Sequence, residues 1–78
     1  MLLFKSMSKG TNFTIEIERE VDGRWIADVQ ELPGVIVYGQ TREEALAKAE
    51  ALALRIVADQ LEAGETAPAL TSVAFSLV

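Results

Sequence analysis

One long helical segment dominates this chain and decides what its other residues must do. Thr41 and Glu44 form the Thr-x-x-Glu pattern of a helix capping box, and Gly64 is a residue type common just past a helix end. Apolar residues recur between them at helical spacing, which predicts a helix over about 42–63. Because such a helix needs a cover for its apolar face, the remaining elements have to supply one. The predicted apolar face comprises Ala45, Leu46, Ala49, Leu52, Ala53, Ile56, Val57 and Leu61.

Three segments before the helix and one after it carry the pattern of β-strands. Residues 13–18 and 24–29 alternate apolar and polar side chains, as do residues 72–77, and residues 35–38 form a short, strongly β-prone run. The order predicts an α+β class, β-β-β-α-β fold, in which one long helix covers one face of a small antiparallel sheet. The last strand follows a helical crossover, so it can lie parallel to a neighbour.

The turn between the first two strands fixes which residues face each other. Both apolar sets reach the same face of the sheet only if Ile17 lies opposite Ala27. That register requires a three-residue loop, 21–23, because a two-residue turn would set Ile17 opposite Asp28. Gly23 is then expected to take a positive φ.

A second turn follows the second strand at Leu32, Pro33 and Gly34. Proline fixes its own φ and lacks an N–H, and a glycine can adopt positive φ, so these three residues are predicted to shape a sharp loop. The domain is predicted to run over 13–78, preceded by a tail over 1–12. The tail's apolar run is too short for a signal peptide or a membrane span, so we expect a cytoplasmic protein without membrane association.

The chain contains no histidine and no cysteine, which narrows its possible chemistry. Their absence removes the commonest general base near neutral pH, the thiol nucleophile, disulfides and the usual zinc ligands. We therefore predict a protein that is not an enzyme, with no cofactor and no metal site. A 78-residue domain has a narrow stability margin without such staples, so we also expect a homo-oligomer.

The charged residues favour a basic protein partner. The chain carries 12 acidic against 7 basic residues, a balance that disfavours direct nucleic-acid binding. Like charges placed opposite each other on a sheet cost stability, so acidic clustering on its outward face favours a contact role. A solvated strand face, or paired carboxylates acting as a cation site or as acid and base, are the other interpretations. The candidate partner-binding residues are Glu16, Glu18, Glu20 and Asp28 on that face, with Glu31 and Tyr38 at its rim.

From about Phe13 to Pro68, the order and spacing of short motifs resemble the HicB-like antitoxins of bacterial toxin–antitoxin pairs. The motifs are, in chain order, a strand before Asp22-Gly23, Trp25-x-Ala27-x-Val29, Leu32-Pro33-Gly34, Gly39-x-Thr41-x-x-Glu44-Ala45 and an Ala/Leu-rich helix ending at Gly64.

This resemblance implies a fold and a function. The family domain is a β-β-β-α-β unit similar to a partial RNase H fold, and it binds and masks HicA, a small basic toxin that cleaves mRNA through a histidine. The antitoxin family has no catalytic residues that could be carried over to this chain. Val35 stands where the family often has a cysteine, and a proline usual before the loop is replaced within 29–31. Many members carry a DNA-binding domain on which repression of their own operon rests, and the 78 residues include no counterpart of it.

The leading hypothesis is therefore a HicB-like antitoxin-type protein that masks a HicA-like toxin. The alternative is a stand-alone oligomeric binding or scaffold protein with no toxin partner. It is motivated by an apolar helix face wider than the stripe that a helix normally lays on a sheet. The residues that widen this face are Ala47, Ala51, Leu54 and Ala58.

Overall fold

The computed structural model describes residues 11–64 and 72–78. Residues 1–10 of the predicted tail lie outside the described residues, as do residues 65–71 after the helix. The α+β class and the strand-strand-strand-helix-strand order are confirmed. The elements are β1 (Thr11–Arg19), β2 (Trp25–Val29), β3 (Ile36–Gly39), α1 (Arg42–Glu62) and β4 (Val73–Leu77). The first strand thus includes two residues that the sequence assigned to the tail, Thr11 and Asn12.

The four strands form one mixed sheet in the order β3-β2-β1-β4. The pairs β1–β2 and β2–β3 are antiparallel, whereas β4 runs parallel to β1. The sheet is therefore not wholly antiparallel, because the helical crossover returns the chain to the end at which β1 begins. The expectation that the last strand can lie parallel to a neighbour is confirmed.

The hairpin has the register that the alternation of apolar residues predicts. Ile17 lies opposite Ala27. The Glu20 N–H donates to the Arg24 carbonyl at 2.7 Å, one pair beyond the strand ends, which leaves residues 21–23 as the loop. Gly23 has a φ of +94°, and its N–H donates to the Glu20 carbonyl at 2.9 Å. Only one face of the sheet is buried, and this register delivers both apolar sets to it.

The second turn starts the third strand one residue later than predicted. The Val35 N–H donates to the Leu32 carbonyl at 3.0 Å, and Gly34 has a φ of +83°. Val35 therefore closes the turn instead of opening the strand, although its side chain is buried. The strand runs from Ile36 and includes Gly39, which the sequence placed just after it.

The helix begins and ends where the capping signals predict. The Thr41 hydroxyl accepts from the Glu44 N–H at 3.0 Å, and the helix gives way to Ala63 as C-cap, with Gly64 next at positive φ. One detail of the capping box is wrong, because the Glu44 carboxylate accepts from the Gln40 N–H instead of that of Thr41. The extended backbone at Thr41 leaves the Gln40 N–H within reach of this carboxylate.

The helix contacts the sheet through small side chains spaced four residues apart. Because these side chains are short, the helix approaches the strands closely and its larger residues lie at the flanks of the contact. Leu46, Leu52 and Ile56 are only partly buried, and Leu61, predicted on the packed face, is 40% exposed. The helix lies mainly over β3 and β2 and also reaches β1. The buried helix residues are Ala45, Ala49, Ala53 and Val57, and the buried sheet-side residues are Phe13, Ile15, Ala27, Val29 and Val35.

Candidate interaction surface on the outer face of the sheet

Four carboxylates occupy the face of the sheet that points away from α1. Glu16 lies directly opposite Asp28, as predicted, and Glu18 follows two residues later on the same side of β1. Glu20 continues the same alternation one residue past the strand end. We call these four residues the acidic face. The structure thus brings Glu16, Glu18 and Asp28 together on one surface, and Glu20 follows just past the end of the strand.

These carboxylates are not neutralised by cations of the described chain. Glu18, Glu20 and Asp28 have no side-chain hydrogen bond or ion pair with any residue in 11–64 and 72–78. Glu16 accepts a single hydrogen bond, from the Gln30 side-chain amide at 3.3 Å. Because opposed like charges cost about 0.2–1 kcal/mol on a sheet, the cluster is tolerated at some expense of stability. Its oxygens are available to donors from another molecule.

An apolar strip, half-buried at Ile26 and exposed at Ile36 and Tyr38, crosses β2 and β3 beside the acidic face. Ile26 lies between Glu18 on one side and Tyr38 on the other, and Ile36 lies opposite Asp28. Ile36 is 47% exposed and Tyr38 is 41% exposed. We call Ile26, Ile36 and Tyr38 the apolar strip. Apolar and charged groups side by side on a flat surface are typical of protein interfaces.

Of the three residues in the apolar strip, the sequence predicted only Tyr38 as a contact residue. Residues 35–38 are apolar throughout, so no alternation showed which side chains point outward. Ile26 could have been recognised, because it stands at an outward position between the inward Trp25 and Ala27. An isoleucine at an outward position is itself a signal of a contact surface.

Tyr38 is held in place by a neighbouring arginine. The guanidinium carbon of Arg24 lies 4.6 Å from the centre of the Tyr38 ring, within the range of a cation–π contact. Arg24 is itself fixed by Asp22, whose carboxylate accepts from the Arg24 backbone N–H at 3.1 Å and from its Nε at 2.9 Å. The backbone hydrogen bond, followed by the side-chain contact, lowers the pKa of Asp22 below its ordinary value. Arg24 therefore packs on one side of the Tyr38 ring, which stays 41% exposed at the rim of the surface.

Glu31 makes hydrogen bonds within the fold that occupy its carboxylate. Its carboxylate accepts from the Thr14 backbone N–H and from the Thr14 hydroxyl, each at 2.7 Å. These hydrogen bonds lower the pKa of Glu31 below its ordinary value of 4.5, because they favour the ionised form. Although it lies beside the outer face as predicted, both of its oxygens are engaged within the chain. We therefore assign Glu31 the role of a clasp between β1 and the loop after β2.

Glu31→Gln is expected to reduce the acid sensitivity of the fold. A carboxylate with a lowered folded-state pKa stabilises fully above its ordinary pKa of 4.5, and that contribution is lost as the pH falls through the folded-state value. Urea unfolding at pH 7 and at pH 3 measures the effect. The wild type should lose more stability between the two pH values than the variant, although Asp22 contributes equally to both. Equal losses would contradict the role of Glu31 as a clasp.

An open hollow of about 240 Å³ lies where β3 meets the start of the helix. Lys48 crosses it, donating to the Tyr38 carbonyl at 3.2 Å while its Nζ lies 3.9 Å from the Glu44 carboxylate. Through these two contacts, Lys48 connects Glu44 of the helix cap to Tyr38 of the third strand. Thr41 and Glu44 thus act in the cap, as predicted. The residues that line the hollow are Arg24, Tyr38, Gly39, Gln40, Glu44 and Lys48.

The predicted loop residues take different positions. Leu32 packs against the core, whereas Pro33 and Gly34 are exposed at the end of β2. Within 11–64 and 72–78, no group of three or more acidic residues is arranged to hold a metal ion. No helix in this described part is long and apolar enough to cross a membrane.

Comparison with known proteins adds no relative. No family model matches the chain, and neither a curated protein nor a solved structure matches it. The resemblance to the HicB-like antitoxins therefore rests on the sequence motifs alone.

Proposed function

We propose that this protein is a HicB-like antitoxin-type binding protein that masks a small, basic, mRNA-cleaving toxin of the HicA type. The observation that carries the proposal is the acidic face, whose four carboxylates have no cationic partner in the described chain and stand beside an exposed apolar strip. A flat surface of this composition fits a macromolecule better than a small substrate, which needs a concave site. The protein acts by covering its partner and requires no catalytic group.

Charge complementarity explains how masking would work. A toxin that cleaves mRNA has to attract RNA phosphates and therefore presents basic side chains. The carboxylates of the acidic face can pair with those side chains, which places this protein where the RNA would bind. A net charge of −5 on the whole chain accelerates the encounter with a basic partner.

The apolar strip supplies binding affinity that exposed charges alone do not. Exposed ion pairs add little affinity, whereas side chains buried at the centre of an interface carry most of it. Ile26 and Ile36 flank Asp28 along β2 and β3, so an apolar side chain of the partner that covers them also desolvates this carboxylate. A desolvated charge pair contributes more than an exposed one, and it discriminates against partners that lack the matching cation.

Co-purification with a basic toxin of the HicA type tests the proposal. The test variant is Glu16→Lys combined with Asp28→Lys, and the matched control is Asp59→Lys combined with Glu62→Lys on the helix. Both double variants change the net charge by the same amount, but only the first alters the acidic face. At about 1.5 kcal/mol or more per close charge pair, the first should weaken binding about 100-fold or more. The control should bind like the wild type.

Equal binding by both double variants would contradict the role of the acidic face.

The stand-alone oligomeric scaffold is a second candidate, favoured by Leu54 and Leu61, which are 46% and 40% exposed on the helix. No binding of the basic protein by the wild type, together with self-association that is lost in Leu54→Lys combined with Leu61→Lys, would favour this second candidate.

A further inference from the structure

The two edges of the sheet differ in how they are protected. At the β3 edge, the Val29 N–H donates to the Val35 carbonyl, and the alternation of an antiparallel ladder directs the backbone groups of Ile36 and Tyr38 away from β2. The Ile36 N–H is engaged by the Gly34 carbonyl at 3.1 Å, and the Tyr38 carbonyl accepts from Lys48 at 3.2 Å. A short edge strand with a lysine across it resists further pairing.

The β4 edge lacks this protection. Within 11–64 and 72–78, no strand pairs with the side of β4 that faces away from β1. Its five residues include no charge and no proline, and Leu77 is 47% exposed. The helix packs mainly on β3 and β2, at the other side of the sheet. An uncharged apolar edge strand of this kind is a template for another strand.

The hydrogen bonds at the two ends of the β1–β4 ladder fix which backbone groups face outward. The Thr11 N–H donates to the Ser72 carbonyl at 2.8 Å, and the Val78 N–H donates to the Ile15 carbonyl at 3.0 Å. In a parallel ladder this pattern makes every second residue of β4 direct its N–H and carbonyl away from β1. The residues with outward backbone groups are Val73, Phe75 and Leu77, which are also the three large apolar residues of the strand.

We propose that the β4 strands of two copies of this chain pair antiparallel about a two-fold axis at Phe75. Phe75 then faces the partner subunit's Phe75, and Val73 faces the partner subunit's Leu77. All three outward residues meet outward residues, so the pairing forms about six backbone hydrogen bonds, two for each pair. The two four-stranded sheets join into one continuous sheet.

A second copy fits this edge because the strand is complementary to itself. Reversing β4 about Phe75 matches apolar side chains with apolar side chains on one face, and the small Ala74 with Ser76 on the other. No acidic side chain enters the seam, although each chain carries a net charge of −5. Phe13 stacks on Phe75 with ring centres 5.7 Å apart, so the aromatic contact inside each copy continues across the seam. Pairing extends a core that is small in one copy.

Cysteine pairing tests this register, because the natural chain has no cysteine. Val73→Cys and Leu77→Cys are prepared separately, mixed under reducing conditions so that subunits exchange, and then oxidised. In the mixture the two cysteines face each other with Cα atoms about 5.5 Å apart, within the range of a disulfide. In either variant alone, identical cysteines lie four residues apart along the seam, about 13 Å, which is too far. A cross-linked dimer is expected in the mixture and not in either variant alone.

Sedimentation velocity of the unaltered chain at micromolar concentration gives a second readout that does not depend on how the variants fold. The chain has a mass of 8.5 kDa, so the pair should sediment at about twice that mass. A monomer would overturn the proposal. A dimer without the mixed cross-link, or with equal cross-linking of either variant alone, would place the interface elsewhere and overturn it too. The acidic face lies outside the seam, so none of these results bears on the proposed binding function.

Discussion

Gly39→Ala is expected to destabilise the protein by about 3 kcal/mol, the upper part of the range for overpacking a tight contact. A Cβ added at Gly39 would lie 2.5 Å from the backbone N of Ala45 and 2.9 Å from its Cα. The obstacle is helix backbone, so no side-chain rotation relieves it, and the helix has to move away from β3. Total stabilities are about 0.05–0.15 kcal/mol per residue, so this loss is a large fraction for a domain of 78 residues.

Gly34→Ala is the matched control for this substitution. An added Cβ at Gly34 meets no atom within 4 Å, but its φ of +83° strains any other residue. Its expected cost is about 1 kcal/mol, from backbone conformation alone. Urea unfolding of both variants separates the two causes. Equal costs would show that close approach of the helix is not what requires glycine at position 39.

Ile15→Ala is expected to cost about 2–5 kcal/mol. Ile15 and Val29 are the largest side chains with no exposed surface, and they lie opposite each other beneath the helix. Removing three carbon atoms there leaves a cavity that the paired strands cannot close. The free energy of unfolding, measured by urea titration, gives the loss directly.

Ile36→Ala is the control for this loss, because it removes the same atoms from a side chain that is 47% exposed on the outer face. Its cost should stay below about 1 kcal/mol. Leu46→Ala and Ile56→Ala should fall between the two, since both side chains are only partly buried. A smaller cost for Ile15 than for Leu46 would contradict the position of the core.

Local patterns in the sequence predicted most of the fold. The period of two in the first strands, together with the need to bury one face, fixed the pairing of Ile17 with Ala27. Capping chemistry located both ends of the helix. The Thr41 hydroxyl can accept a hydrogen bond from an unpaired N–H of the first turn, and Gly64 can take the positive φ that follows the last turn. These features depend on residues close in sequence or on a single register choice, which is why they could be read in advance.

Features that depend on the distance between elements could not be read in the same way. The sequence gives no direct sign that the alanines at 45, 49 and 53, and not the larger Leu46, form the centre of the helix contact. The close approach that follows from those alanines also explains Gly39, which pattern alone marked only as a strand end. Both follow from tertiary packing.

The candidate surface likewise has some features that could be predicted from the sequence and others that could not. The opposition of Glu16 and Asp28 followed from the hairpin register, so it could be predicted. The engagement of Glu31 by Thr14 joins residues 17 positions apart through a loop whose course has no repeating pattern. The stacking of Arg24 on Tyr38 likewise depends on how β2 and β3 align.

The most direct test of binding through the outer face is an amide NMR titration. The isotopically labelled chain is titrated with an unlabelled basic toxin of the HicA type, and the shift of each backbone resonance is followed. Changes centred on Glu16, Ile26 and Ile36, with the exposed side of α1 unaffected, are the predicted result. Changes centred on the helix, or an unchanged spectrum at saturating concentrations of the basic protein, would contradict the proposed function.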